Sequence, residues 1–280
     1  MFKRRLNDLL HNKTAFAGVI ICSAVLAAIL IGPLVTPYST ETMDFVNILA
    51  TPSFAHPFGT DSFGRDVLSR VLAGAQVSLA ISLIAVALAT TVGTLMGIVS
   101  GYSSGWIDAI VMRISDLLFA FPSFVLALFL MVVLGFGTTN VILAIALVYV
   151  PIFARIARNT TMLVKEEPFV QAARVMGRSP MSIMLGEILP NISAPLLVQA
   201  SVGLAFGIIL EAGLSFIGLG VQPPTPSLGT IMADGREYFS RGPWVLTLSG
   251  LFISIALLGI NLLGDGIRDM MDPRLRERAG

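Results

Sequence analysis

Five long apolar stretches of the chain contain no charged residue, and their lengths constrain the fold more than any other feature. They are residues 15–35, 71–107, 117–154, 188–210 and 242–264. The third stretch has 38 residues and would measure about 57 Å as one helix, which is too long for a hydrocarbon core of about 30 Å. Because it must contain two spans, joined by the turn signal at residues 135–140, we predict an all-α polytopic membrane protein with six transmembrane helices.

Composition supports this class and argues against several others. Hydrophobic residues make up 55% of the 280 positions and charged residues 12%, far from the balance of a soluble domain. The net charge is +1 and no basic patch with interleaved aromatic residues occurs, so a nucleic-acid partner is not expected. Cys22 is the one cysteine, which excludes an intrachain disulfide and argues against a metal site built on thiolates.

The distribution of Lys and Arg predicts the orientation of the chain. With six spans, the termini and the loops on their side hold fourteen basic residues, whereas the opposite loops hold Arg65, Arg70, Arg236 and Arg241. Since basic residues concentrate in cytoplasmic segments, we predict that both termini and the loop 165–191 are cytoplasmic. Residues 1–70 then comprise the N-terminal tail, the first transmembrane helix and an extracytoplasmic loop. Residues 71–280 comprise the core, with five transmembrane helices and the loop 165–191.

The loop 165–191, between the fourth and fifth spans, has the periodicity of two short amphipathic helices. Apolar residues recur at positions i, i+3, i+4 and i+7 in both halves: Phe169, Ala172, Ala173 and Met176, then Met181, Met184, Leu185 and Ile188. Gly177 is placed to end the first helix in a left-handed conformation, and Ser179-Pro180 is placed to begin the second.

Helices this short cannot bury an apolar stripe alone, so we expect them to dock into a groove on a partner protein. A helix pair lying on the lipid surface is the alternative. Basic residues do not dominate its polar face, which includes Glu167 and Gln171, and this argues against lipid.

The same loop resembles the cytoplasmic coupling loop, named for its Glu-Ala-Ala, of ABC-importer permeases. The match comprises Ala172, Ala173, Gly177 and Ile188-Leu189-Pro190, while the leading Glu is Gln171 here. Two further segments, HPFGTDSFGRDVLSRVLAGAQVSL from His56 and LSFIGLGVQPPTPSLG from Leu214, are similar to the dipeptide, oligopeptide and nickel branch of these permeases.

This resemblance implies a permease subunit of an ATP-driven ABC importer in the bacterial plasma (inner) membrane, for di- or oligopeptides, nickel or a related small solute. It implies as partners a second homologous permease subunit, two ATP-binding subunits, an extracytoplasmic solute-binding protein and the lipid bilayer. ATP would be hydrolysed on the separate subunits, whose closure moves the docked loop and drives alternating access. The residues implied in coupling are Glu167, Phe169, Gln171, Ala172, Ala173, Met176, Gly177, Met181, Met184, Leu185 and Ile188.

No catalytic motif occurs in the sequence. There is no phosphate-binding GxxxxGK[ST] loop, no HExxH, no GxSxG and no CxxC. We therefore predict that the chain is not an enzyme and binds no cofactor itself. Two other functions stay open. A secondary transporter would need ionisable residues or broken helices at mid-membrane, and a non-transporting scaffold would co-purify with partners without substrate flux.

Two turn signals precede the second span, and their residues form a candidate site. They are Gly59-Thr60-Asp61 and Gly64-Arg65-Asp66, and Asp66 is placed to begin a helix. The charged side chains either cap and pair locally at the membrane edge or contact substrate.

Glu211 is the second candidate, because an ionisable residue in a membrane span is unusual. It lies about 25 Å along the fifth span, near the outer interface. We predict a structural or gate-lining role for Glu211 in preference to substrate binding, and a merely solvated carboxylate is the other alternative. Pro122 is predicted to be at most a kink in the third span.

Overall fold

The computed structural model describes residues 13–271, and within this range all regular structure is helical apart from an isolated bridge between Thr60 and Asp66. The α-helices are α1 Lys13–Val35, α2 Val67–Ser103, α3 Gly105–Phe119, α4 Ser123–Leu134, α5 Thr138–Val164, α6 Pro168–Val175, α7 Pro180–Ile183, α8 Leu189–Phe216, α9 Leu228–Glu237 and α10 Pro243–Met271. α7 continues through a π turn at Met184–Ile188 directly into α8. The predicted all-α class is confirmed.

Five helical segments of the described chain are long and apolar enough to cross a membrane: α1, α2, α5, the continuous segment Pro180–Phe216 and α10. The remaining crossing is made by α3 and α4, which meet at an angle of 95°. α2 and α5 run parallel, because Gly93 lies against Val150 and Gly101 lies against Arg158. The chain between α2 and α5 must therefore return across the membrane, which completes the six predicted spans.

The third span differs from the prediction, because Pro122 breaks the helix instead of only kinking it. α3 ends at Phe119, α4 begins at Ser123, and Pro122 itself has φ −55° and ψ 134°. Proline has no N–H group to donate to the preceding turn, and its ring disfavours the helical conformation of Phe121. α4 has 12 residues and is about 18 Å long, so it cannot cross a core of about 30 Å alone.

α2, α5 and α8 form the central bundle, and the contact of α2 with α5 depends on glycine. A Cβ atom on Gly97 would lie 2.3 Å from the carbonyl oxygen of Ala154, so the two backbones touch where no larger residue fits. α8 runs antiparallel to α2, with Gly207 beside Ser82. α1 and α10 form a peripheral pair, and an apolar cavity of about 250 Å³ lies between this pair and helices α2 and α8.

The helix directions bring both described ends of the chain to the same end of the bundle. The start of α1 lies against the end of α10, where Ala15 contacts Gly266. We call this the inner end; it also holds α6, α7 and the last turns of α2 and α5. Residues 36–66 and α9 lie at the opposite, outer end. That the inner end is cytoplasmic stays a prediction, as does the division at residue 70, which falls in the first turn of α2.

Candidate functional site

The corner between α6 and α7 has the geometry that the sequence predicts. Gly177 has a φ of +75°, in the left-handed region. Its N–H donates to the carbonyl of Arg174 at 2.9 Å, and the N–H of Arg178 donates to that of Ala173 at 3.1 Å. These two bonds form a Schellman motif, which satisfies carbonyls at the helix C-terminus. Ser179 then caps α7 by accepting a hydrogen bond from the N–H of Ser182 at 3.3 Å, so the predicted glycine corner and cap are confirmed.

We define the helix pair as α6, α7 and the π turn; it has one buried and one exposed apolar face. The buried face packs into the protein core and consists of Val170, Ala173, Ile183, Met184 and Ile188. The exposed face consists of Phe169, Val175, Met176, Met181 and Leu185. Val175 is 89% exposed and Met176 is 73% exposed.

The predicted docking face is therefore partly wrong. Ala173, Met184 and Ile188 are buried inside this chain and leave no surface for a partner. The periodicity identified an apolar stripe, but the helix pair presents apolar residues on two sides. Val170 and Val175 were missed for the same reason, because one lies on each side of the predicted stripe.

The remaining residues of the predicted coupling set lie at the surface. Glu167 precedes α6, and its carbonyl accepts from the N–H groups of Val170 and Gln171 at 3.0 and 3.1 Å. The side-chain amide of Gln171 donates to the carbonyl of Lys165 at 3.1 Å. A Glu at this position could not donate that hydrogen bond. Gln171 thus closes the turn between α5 and α6, whereas Ala172 is exposed and has no such role.

Four basic side chains, which we call the basic ladder, contact the inner end of α2 and the side chains of α3. They are Arg155, Arg158, Lys165 and Arg174. Arg158 is bidentate to Asp108, with Nε–Oδ1 2.8 Å and Nη2–Oδ2 2.6 Å.

Of the other three members of the basic ladder, Lys165 and Arg174 contact the inner end of α2, and Arg155 contacts the last turn of α3. The Nζ of Lys165 donates to the carbonyl of Gly101 and to Ser104 Oγ, both at 2.9 Å. Arg155 Nη2 lies 2.6 Å from an oxygen of Asp116, and the Arg174 guanidinium lies 5.0 Å from the centre of the Tyr102 ring. In the sequence these residues indicate only orientation, because partners 39 to 72 positions apart cannot be paired from sequence.

At the outer end, the predicted turn residues form a closed hydrogen-bond and ion-pair network. Asp61 accepts from the N–H groups of Phe63 and Arg65 at 2.8 and 3.0 Å, and its carboxylate pairs with Arg65 Nε at 2.7 Å and with Arg70. Both arginines also contact Asp234 of α9, at 3.5 and 3.3 Å. The network joins the outer loop to α2 and α9.

Asp66 and Thr60 have equally local partners. Asp66 caps α2 by accepting from Ser69 N at 2.8 Å, and His56 Nδ1 lies 2.9 Å from its other oxygen. The carbonyl of Thr60 accepts from the indole N–H of Trp244 at 3.1 Å. The structure supports the local capping and pairing interpretation, while contact with substrate stays a prediction.

Glycines allow the outer loop its tight turns. Gly59 and Gly64 have φ values of +71° and +73°, and a Cβ on Gly64 would lie 1.8 Å from the carbonyl oxygen of Asp44.

The side-chain amide of Asn47 donates to the Asp44 carboxylate at 2.7 Å and holds the pKa of that carboxyl below its ordinary value.

Glu211 is completely buried, so the alternative of a solvated carboxylate is wrong. Its carboxyl group accepts from Ser215 Oγ at 2.7 Å and is flanked by Ser78 of α2 and Ser227, the cap of α9. The N–H of Leu228 donates to Ser78 Oγ at 3.2 Å. Among the described residues Glu211 has no ion-pair partner, and no group of three metal-ligating side chains occurs. Glu211 therefore lies where α2, α8 and α9 meet.

Two family models match the chain. The model described as binding-protein-dependent transport system inner membrane component matches residues 93–277. The model described as the N-terminal TM domain of oligopeptide transport permease C matches residues 1–52.

Individual proteins match over most of their length. The chain is 38% identical over 275 residues to the dipeptide transport system permease protein of Alkalihalophilus pseudofirmus, covering 98% of this chain and 90% of that protein. It is 46% identical over 243 residues to the glutathione transport system permease protein of Shigella flexneri, covering 86% and 80%. A solved structure of the MetNI methionine ABC transporter in an inward-facing conformation matches with a TM-score of 0.57 and 21% identity, covering 71% of this chain and 95% of that chain. This last similarity supports the fold.

Proposed function

Because this chain belongs to the family of inner membrane components of binding-protein-dependent transport systems and is a permease subunit of an ABC importer, we propose that it transports short peptides. The observation that carries the proposal is the 38% identity to a dipeptide permease over 98% of the chain. The similarity to a glutathione permease supports the same substrate class, since glutathione is itself a tripeptide. Nickel and other small solutes, which the resemblance left open, become competing substrates in the test.

The partners we propose are a second homologous permease subunit, two ATP-binding subunits and an extracytoplasmic solute-binding protein. ATP would bind to the ATP-binding subunits, and this chain would need no cofactor of its own. The family description, which names dependence on a binding protein, supports this assembly. Within the membrane, exposed apolar side chains on α4, including Phe129, Val132 and Val133, offer surface to lipid or to the second permease.

We propose that the inner end of the bundle faces the cytoplasm. The excess of basic residues on this side supports the orientation. Single-cysteine labelling in a Cys22→Ser background tests it with an impermeant maleimide on intact cells. Val46→Cys in the outer loop, where the native side chain is 92% exposed, should label, and Gln171→Cys should label only after lysis. Labelling of Gln171→Cys in intact cells would reverse the orientation.

The exposed face of the helix pair is the surface that we propose docks into an ATP-binding subunit. Its five apolar residues are surrounded by charges of both signs, including Glu166, Glu167 and the ion pair of Arg178 with Glu187. An apolar centre with a mixed polar rim is typical of protein interfaces. A helix on anionic lipid would instead carry mainly basic residues at its rim.

Met176→Glu tests the docking surface because it places a charge on the exposed face, where burial of a charge without a partner is unfavourable. We expect at least a tenfold loss of ATP-binding subunits that co-purify with the permease, with normal insertion. Leu163→Glu is the matched control, because Leu163 is equally exposed at 73% but belongs to the last turn of α5. Equal co-purification of both variants and the wild type would assign the exposed face to lipid.

The substrate class is tested in proteoliposomes that contain the complete complex. We expect the solute-binding protein loaded with a dipeptide or with glutathione to stimulate ATP hydrolysis and uptake. Stimulation by Ni²⁺ and by neither peptide would refute the peptide proposal and leave the ABC permease assignment intact.

A further inference from the structure

We propose that the ion pair of Arg158 with Asp108 transmits movement of the helix pair to α3 and thereby moves the broken third span during transport. Both are positioning residues, since neither needs to touch substrate or ATP. The proposal rests on the proposed function and deepens it. Three features of the structure support it. The connection between α5 and α6 is short, α3 has a break in the helix at each of its two ends, and α4 packs against α8 in the outer half of the bundle.

The connection from α5 to α6 is short and hydrogen-bonded. Three residues separate the two helices. The N–H of Lys165 donates to the carbonyl of Thr161 at 2.9 Å, and the side chain of Gln171 donates to the carbonyl of Lys165 at 3.1 Å. A displacement of α6 is therefore passed to the inner end of α5 and is not absorbed by a loop.

α3 is joined to the rest of the chain at two breaks. It begins at Gly105, directly after Ser104, and the φ values of +58° at Ser104 and +67° at Gly105 end α2 and redirect the chain. It ends at the 95° break that contains Pro122. Among its 15 residues, all within the described range, only Ser115 is buried. Because few side chains anchor α3, rotation as a rigid body about its two ends is the movement open to it.

Two ion pairs join α3 to α5, and they differ in strength. Arg158 and Asp108 form two hydrogen bonds, their side chains are 26% and 19% exposed, and Ser100 Oγ also donates to Asp108 at 2.5 Å. Arg155 and Asp116 form one hydrogen bond and are 45% and 57% exposed. Water screens exposed pairs, whereas bidentate contacts fix the orientation of both partners. The first pair is therefore the link, and the second serves as a natural control.

α4 carries the movement toward the outer half of the bundle. Phe124, the second residue of α4, lies against α8, since a Cβ atom on Gly213 would be 2.8 Å from its ring. Gly213 is two positions from the buried Glu211. Leu126 and Met131 hold α4 in the same core as α5. A rotation of α3 thus changes the contact of α4 with α8 beside the junction of α2, α8 and α9, far from the helix pair.

The test compares variants of the complete complex in proteoliposomes by peptide uptake per ATP hydrolysed. For Arg158→Gln and for Asp108→Asn we expect normal co-purification of the ATP-binding subunits, continued ATP hydrolysis and at least a tenfold lower uptake per ATP. Arg155→Gln should stay within twofold of the wild type. The exchange of charges in Arg158→Asp combined with Asp108→Arg should recover most of the ratio, which a general loss of stability would not allow.

Spin labels supply a second readout that a purely structural role would not change. In a Cys22→Ser background, labels at Leu117→Cys on α3 and Leu95→Cys on α2 report the distance between the two exposed helix surfaces. ATP should change this distance in the wild type and not in Arg158→Gln. The link is refuted if Arg158→Gln keeps the uptake ratio within twofold or keeps the distance change. Failure of the wild-type complex to take up peptide would refute the proposed function instead, so the two failures are distinguishable.

Discussion

Adding one methyl group at Gly97 probes the contact that holds α2 against α5. In Gly97→Ala the new Cβ atom would lie 2.3 Å from the carbonyl oxygen of Ala154 and 2.6 Å from the Cβ of Ala157. Neither neighbour can rotate away, since one is a backbone atom and the other is attached directly to the backbone. The helices must therefore separate by about 1 Å to restore ordinary van der Waals contact.

The size of the effect follows from a matched comparison. Gly203→Ala on α8 gains the same preference of alanine for a helix, but its Cβ would lie 3.5 Å from Val86, an ordinary contact. The difference in the free energy of unfolding between the two variants isolates the steric cost of the added methyl group, which is about 1–3 kcal/mol in a well-packed core. We expect Gly97→Ala to be less stable than Gly203→Ala by that amount, and Gly203→Ala to match or exceed the wild type.

Reversible unfolding by SDS in mixed micelles, followed by circular dichroism, measures the free energy of unfolding of each variant. Both proteins must first insert and refold to the same helix content. Equal stability of Gly97→Ala and Gly203→Ala would refute the reasoning, because it would mean that α2 and α5 do not touch through their backbones at this point.

Three further predictions concern the outer network, Glu211 and the glycine corner. Asp61→Asn leaves the buried Arg70 without its main counter-charge and should lower the free energy of unfolding by about 3–5 kcal/mol, whereas Asp234→Asn, at a 37% exposed residue, should lower it by at most about 1 kcal/mol. Glu211→Gln keeps a hydrogen-bond acceptor, so the free energy of unfolding should change by about 1 kcal/mol or less and the uptake rate only modestly. Complete loss of uptake in an assembled complex would indicate that Glu211 binds substrate or transfers a proton. Gly177→Val should cost at least about 1–2 kcal/mol of backbone strain and reduce co-purification of the ATP-binding subunits. Gly177→Asn should be tolerated, because Asn adopts the left-handed conformation more readily. The strain would come from the backbone conformation and not from a steric clash, because no atom lies within 4 Å of the added Cβ.

Much of the fold was predictable because membrane insertion depends on the summed hydrophobicity of each continuous segment of the chain. Uncharged runs of sufficient length identify crossings whatever their neighbours are. The corner at Gly177 was predictable for a similar reason, since Gly177 ends one helix and the nearby Ser179 caps the next. The break at Pro122 was underestimated, because proline signals a helix disturbance without indicating its angle.

The candidate sites were less predictable, because burial and pairing depend on distant parts of the chain. Periodicity indicated apolar positions on the helix pair, but only docking of α6 against the core decided that Ala173 is inside and Met176 outside. Position along a span placed Glu211 near solvent, yet α9 and Ser78 enclose it.

The sequence by itself therefore determined the class of the protein, its crossings and the place of its helix pair, because hydrophobic partition acts within one continuous span and helix capping acts within one turn. Only the tertiary structure decided that Arg158 meets Asp108 and that Gly97 meets Ala154. These contacts join residues 50 and 57 positions apart. The first is an ion pair between side chains of α5 and α3, and the second arises because glycine lets two helices approach until backbone touches backbone. No local window of sequence contains both partners of such a contact.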